Sequence, residues 1–168
     1  LFFLSTIINV NYNKYLNEFF KLKNIDIYGL KIEDKKKVLN EIIVLKYKNI
    51  FLVNNIKISN ILNKFEKFES YKIQKIFPNK LKIYINETKY IARTVRNGKE
   101  FIVGQNKKFI NIKNFNYDLD LPIIFGEFPI DSFIALQKNL REINLDQIKI
   151  NEYYYFKSGR WDLKFQNK

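Results

Sequence analysis

Phe77-Pro78-Asn79-Lys80-Leu81-Lys82-Ile83-Tyr84-Ile85-Asn86-Glu87-Thr88-Lys89-Tyr90-Ile91-Ala92-Arg93 is the stretch on which the fold turns. A Pro-Asn turn opens a segment in which Leu81, Ile83 and Ile85 share one side and Lys82, Tyr84 and Asn86 the other. That period of two predicts a half-buried strand. Glu87 interrupts the apolar side, and Ile91-Ala92-Arg93 resumes in extended form.

Upstream, residues 71–76 read as the partner strand. Residues 23–28 read as a further strand, with Ile25 and Ile27 on its buried side and Gly29 ending it. Between them lie two helical patterns. The first covers residues 34–45 with an inner stripe of Val38, Leu39, Ile42 and Ile43. The second runs from Asn55 with Ile58, Ile61, Leu62 and Phe65, and residues 49–53 form a short extended link. Phe68 caps the core. The order β-α-α-β-β predicts two helices against one face of a three-stranded sheet. Roughly 65 residues is close to the lower limit for independent stability, so neighbouring structure is expected to help.

From Tyr90 the pattern turns to short strands and tight turns. Residues 92–96 and 99–103 flank Asn97-Gly98, a strong hairpin signal because both residues tolerate positive φ. Residues 108–112 return as a third strand, 114–120 are polar loop, and Leu121-Pro122-Ile123-Ile124-Phe125-Gly126 follows. A helix is predicted from Asp131 or Ser132, either able to act as N-cap, with Phe133, Leu136, Leu140 and Ile143 inward. Residues 148–156 and 161–166 form the last hairpin. Trp161, Leu163 and Phe165 alternate there with polar residues, so the reading is of a β-domain continuing beyond Lys168. The fold class expected is therefore α+β: a β-α-α-β-β module over 21–89 and a mostly antiparallel β-domain with one helix over 90–168.

Composition narrows the chemistry. The 168 residues contain no Cys and no His, which excludes disulfides, thiolate catalysis, Cys/His zinc sites and imidazole acid–base work. The formal charge of +13 invites a nucleic-acid reading. However, Ile, Lys and Asn fill 74 positions and only four of the thirty basic residues are Arg, the residue preferred for bidentate phosphate contact. The lysines are scattered, so a background residue bias is favoured over a phosphate-binding surface. Asp118 and Asp120 read as loop residues rather than an acid–base or metal pair. Tyr153-Tyr154-Tyr155 alternates as strand packing requires, rather than forming a base-stacking platform. No glycine-rich phosphate loop is present. No cofactor, metal, nucleic acid, small-molecule substrate or enzymatic activity is expected.

Leu1-Phe2-Phe3-Leu4-Ser5-Thr6-Ile7-Ile8 is too short to cross a bilayer, which takes about 20 apolar residues. Followed by Tyr12, Lys14 and Tyr15, it reads as the exit end of a transmembrane helix with interfacial aromatics, covering residues 1–20 with its membrane-proximal segment. The alternative is an amphipathic helix packing through Leu16, Phe19 and Phe20.

The motifs together resemble the FtsQ (DivIB) family of bacterial cell-division proteins. Ile25-Asp26-Ile27-Tyr28-Gly29 is similar to that family's opening Ile-x-Ile-x-Gly strand. Asn49-Ile50-Phe51-Leu52 is similar to its inter-helix link, and Phe77-Pro78-Asn79-Lys80-Leu81-Lys82-Ile83 with Glu87 to its aromatic-Pro-x-x-Leu-x-Ile strand. Ile91-Ala92-Arg93, Leu121-Pro122-Ile123-Ile124-Phe125-Gly126 and Arg160-Trp161-Asp162-Leu163 resemble β-domain motifs. Departures are Leu30 where many relatives carry Asn, Gly104 where the turn usually has Asp, and Glu66-Lys67 in place of a Pro before Phe68.

The resemblance implies a POTRA domain followed by a β-domain. It also implies a single-span inner-membrane anchor, with both domains in the periplasm, and a non-enzymatic role linking division proteins. The implied partners are an FtsB–FtsL complex, whose binding strand would fall beyond Lys168, and an FtsK-like recruiter at the second strand of the POTRA domain. By position, that recruiter surface maps to Ser70, Ile73, Lys75 and Glu87. The competing reading of these residues is plain: Ile73 in the core, Ser70 and Lys75 solvated. Two other functions are carried alongside, a POTRA module of outer-membrane assembly or secretion and a basic nucleic-acid binder.

Overall fold

The structure, a computed structural model, describes residues 15, 17–112, 119–145 and 149–166. The apolar run 1–8, Tyr12, Lys14, Leu16, Asp118 and Ile148 fall outside them. The chain divides into two compact units, one ending at Glu87 and the other starting at Thr88.

The first unit runs β1 (Asn24–Tyr28), α1 (Ile32–Ile42), a 3-10 turn (Ile43–Leu45), α2 (Asn55–Leu62), β2 (Phe68–Ile76) and β3 (Lys80–Glu87). The strand order is β1-β3-β2, with β3 parallel to β1 and antiparallel to β2. The register explains the alternation read from the sequence. Ile27 and Ile73 both lie beside Ile83, Ile25 beside Leu81 and Tyr71 beside Ile85, so the middle of one face is apolar across all three strands, with Lys75 and Glu87 towards its margins. Leu81, Ile83 and Ile85 are fully buried there, as are Val38 and Ile42 of α1 and Ile58 and Leu62 of α2. Each such side chain contributes about 1.5–3 kcal/mol by leaving water. α2 starts where the Asn54 side chain accepts a hydrogen bond from the Ile56 amide at 2.8 Å.

Three sequence expectations shift. β2 begins at Phe68 rather than residue 71. Ile43 is half exposed and Leu45 buried instead, because the helix tightens after Ile42 into i→i+3 bonding, Lys46 N–H donating to the Ile43 carbonyl, and the stripe rotates. The supposed link 49–53 supplies core side chains, Ile50 and Val53, as does Leu22. Leu22 N–H bonds the Lys48 carbonyl and Ile50 N–H the Phe20 carbonyl, which zips the two segments together and turns their apolar side chains inward.

Gly29 ends β1 at φ +88°, and a Cβ there would run into the Ile85 carbonyl oxygen. Both the conformation and the space require glycine. Gly29→Ala is expected to destabilise the unit by about 2–4 kcal/mol, the combined cost of left-handed backbone and overpacking. Urea denaturation followed by circular dichroism measures it.

The second unit runs β4 (Tyr90–Arg96), β5 (Lys99–Gly104), β6 (Phe109–Asn111), β7 (Ile123–Phe125), α3 (Ile130–Glu142), β8 (Ile150–Tyr155) and β9 (Trp161–Phe165). The sheet order is β6-β5-β4-β7-β8-β9. The hairpin at Asn97-Gly98 forms with φ of 51° and 69° at its two turn residues. The Leu-Pro-Ile-Ile-Phe-Gly motif supplies the central strand β7, parallel to both β4 and β8, so the sheet is mixed. Gly126, at φ +97°, ends β7 against the Tyr155 carbonyl, which excludes a side chain there.

α3 covers one face. Phe133 and Leu140 pack with Phe128, Ala92, Val103, Ile124 and Tyr153. Neither predicted residue caps α3. Pro129 occupies that position, leaving Asp131 in the first turn and Ser132 accepting a 3.0 Å bond from the Trp161 indole N–H. Ile143 is exposed, contrary to the predicted stripe. It is the C-cap, and Asn144 at φ 56° turns the chain away. The tyrosines alternate as read. Tyr153 is buried and accepts a 2.8 Å bond from the Gln137 amide, whereas Tyr154 stacks on Phe125 on the other face. There the Tyr154 hydroxyl and Lys164 hydrogen-bond Glu152 and hold its carboxyl below the usual range. Asp120 is exposed and pairs with Lys149 at 2.6 Å.

Candidate partner-binding edge

An outer strand offers its outward N–H and C=O groups to whatever strand can satisfy them. In the first unit β3 is flanked on both sides, so β2 and β1 are the margins of that sheet. β2 is the longer, nine residues against five. It carries polar side chains at Ser70, Lys72 and Gln74 on the face away from the helices, opposite Asn86, Tyr84 and Lys82.

The four residues singled out from the sequence do not form one patch. Ser70 is exposed on the outer face and accepts a 3.1 Å bond from the Asn86 amide. Ile73 faces the helices opposite Ile83 and packs on the core, as its competing reading held. Lys75 lies on that same face, half-buried, opposite Leu81. Glu87 stands at the far end of β3, opposite Phe68. Six residues of strand separate Leu81 from Glu87, about 20 Å. What Ser70, Ile73 and Lys75 share is a backbone edge, not a side-chain surface.

Glu87 has a local structural partner. Its carboxylate lies 3.4 Å from the Lys67 ammonium, which also pairs with Asp34 in the first turn of α1. Lys67 thus stands between two carboxylates at the end of the sheet, where Glu66-Lys67 replaces the proline of the motif. Sequence reading missed the outer face of this sheet as a surface. Tyr28 and Tyr84 stack there at 5.0 Å, and Lys80 lies 3.6 Å from Asp26. Their alternation was visible, but only the parallel β1–β3 register brings them side by side. Among the described residues no cluster of acidic side chains could hold a metal ion, and no helix is long and apolar enough to cross a membrane.

A family model described as a POTRA domain of the FtsQ type matches residues 20–88. The first unit is an FtsQ-type POTRA domain. Over that unit the match agrees with the resemblance of the motifs to the FtsQ/DivIB family and supports a scaffold role in cell division. No curated protein matches the chain. Within the POTRA domain, β1 and β3 hold the parallel pair that Gly29 closes, and β2 is left at the margin.

Proposed function

We propose that this chain is a non-enzymatic divisome scaffold that recruits and links cell-division proteins by strand pairing. A single span holds it in the inner membrane, and the POTRA and β-domains work in the periplasm. β2 takes up a strand of an FtsK-like recruiter, and the β-domain engages an FtsB–FtsL complex. The observation that carries the reading is an FtsQ-type POTRA domain whose long second strand is the margin of its sheet. Main-chain hydrogen bonds supply affinity in that mode, and side chains along the edge select the partner.

Lys75→Glu tests it. The side chain is half-buried at the edge, and its neighbours on the same face are apolar: Leu81 is opposite, with Ile83 and Ile73 beside it. Folding stability is expected to stay within about 0.5–1 kcal/mol of the parent, while recruitment of the variant to midcell falls. Normal midcell localisation of a stably folded Lys75→Glu chain contradicts the edge-strand role.

A further inference from the structure

The POTRA domain carries an apolar surface that neither its core nor the β2 edge uses. Phe19 meets Phe20 edge-on at 5.2 Å, Phe20 meets Phe51 at 5.0 Å, and Phe51 stacks on Phe77 at 4.8 Å. Phe20 packs on the core, whereas Phe19, Phe51 and Phe77 are each more than half exposed, and Leu52 beside Phe51 is 81% exposed. Four such side chains offer on the order of 300 Å² of apolar area, the scale at which an exposed patch signals an interaction.

The surface is held in shape by backbone bonds between the segments that carry it. Ile50 N–H donates to the Phe20 carbonyl and Lys23 N–H to the Asn79 carbonyl, both at 2.9 Å, and the Asn49 side chain accepts from Phe51 N–H at 3.0 Å. Exposed lysines, Lys23 and Lys48, lie on the same segments.

We propose that this surface rests on a lipid bilayer, with Phe19, Phe51, Leu52 and Phe77 at headgroup level and Lys23 and Lys48 against anionic headgroups. The inference rests on the membrane-anchored reading above. Two observations favour lipid over a protein partner. The apolar run Leu1–Ile8 lies eleven residues before Phe19 in the chain, a reach of at most about 40 Å, so a bilayer holding that run is within range of the patch. The patch also pairs exposed aromatics with Lys23 and Lys48, the local combination that favours an interfacial, anionic environment.

Because the chain has no cysteine, a single Leu52→Cys substitution in the full chain can carry an environment-sensitive fluorophore. Lys72→Cys, on the outer sheet face, serves as the control. With vesicles of phosphatidylcholine and phosphatidylglycerol, the probe at position 52 is expected to shift to the blue and gain several-fold protection from iodide, while the probe at 72 does neither. If the chain floats with the vesicles but position 52 stays as quenchable as in buffer, the patch does not dock and the anchor reading stands. Failure to float at all overturns the docking. A concentration-dependent blue shift without lipid means that the patch pairs with a second copy, which overturns the proposal. An equal shift on phosphatidylcholine alone removes the part assigned to Lys23 and Lys48.

Discussion

Ile83→Asp is expected to unfold the POTRA domain. Ile83 is fully buried in the central strand, with Ile27 on one side, Ile73 on the other and the two helices above. A carboxylate there has no partner, and burying it costs several kcal/mol against a total stability of about 5–15 kcal/mol. The substitution also removes the branched side chain on which both neighbouring strands pack. Loss of most of the far-UV circular dichroism of the first unit is the expected readout. The neighbouring Tyr84→Asp, on the exposed face, is expected to leave that signal intact. A melting curve for Ile83→Asp matching the parent contradicts the strand face assigned here.

Phe133→Ala is expected to cost the second unit about 3–5 kcal/mol, the usual range for removing a buried aromatic ring. Phe133 is fully buried and its ring meets Tyr153 at 5.2 Å and both Phe128 and Trp161 within 5.8 Å. The vacated space is therefore bounded by large rings of three different segments, which do not collapse easily into it. Trp161 is the chain's single tryptophan, so its fluorescence in a urea titration reports this unit directly. Ile143→Ala at the end of the same helix is expected to change stability by about 0.5 kcal/mol or less, because Ile143 is exposed. A loss at Ile143 equal to that at Phe133 restores the longer stripe and contradicts the C-cap described above.

Much of this was legible in the chain itself, and the reasons are local. Leu81, Ile83 and Ile85 alternate with polar residues, and alternation has one structural meaning when one side is buried. Val38 with Ile42, and Ile58 with Leu62, repeat at helical spacing and are buried in the structure. Asn97-Gly98 made its hairpin because few residues other than Asn and Gly accept the φ values that turn needs. Legibility failed at element ends. Ile43 and Ile143 both continue an apolar stripe on paper, yet each falls where the helix tightens or stops. β7 was hidden for another reason. A three-residue strand flanked on both sides shows no alternation, so Ile123–Phe125 became visible as sheet only through its pairing with β4 and β8.

The candidate site divides in the same way. Ser70, Lys75 and Glu87 could be named from motif positions, but the distance between Lys75 and Glu87 and the different faces of Ser70 and Glu87 follow from the β2–β3 register. The aromatic surface at Phe19, Phe51 and Phe77 could not be found from spacing at all, since its rings come from three distant segments.

What the amino-acid order determined by itself is the succession of strands and helices and the inward side of each, because those depend on neighbours two to four residues away. Tertiary structure alone decided which strand lies at the margin, which residues share a face across strands, and which apolar side chains stay in water. Those outcomes depend on pairing between residues far apart in the chain, and no local periodicity encodes the partner.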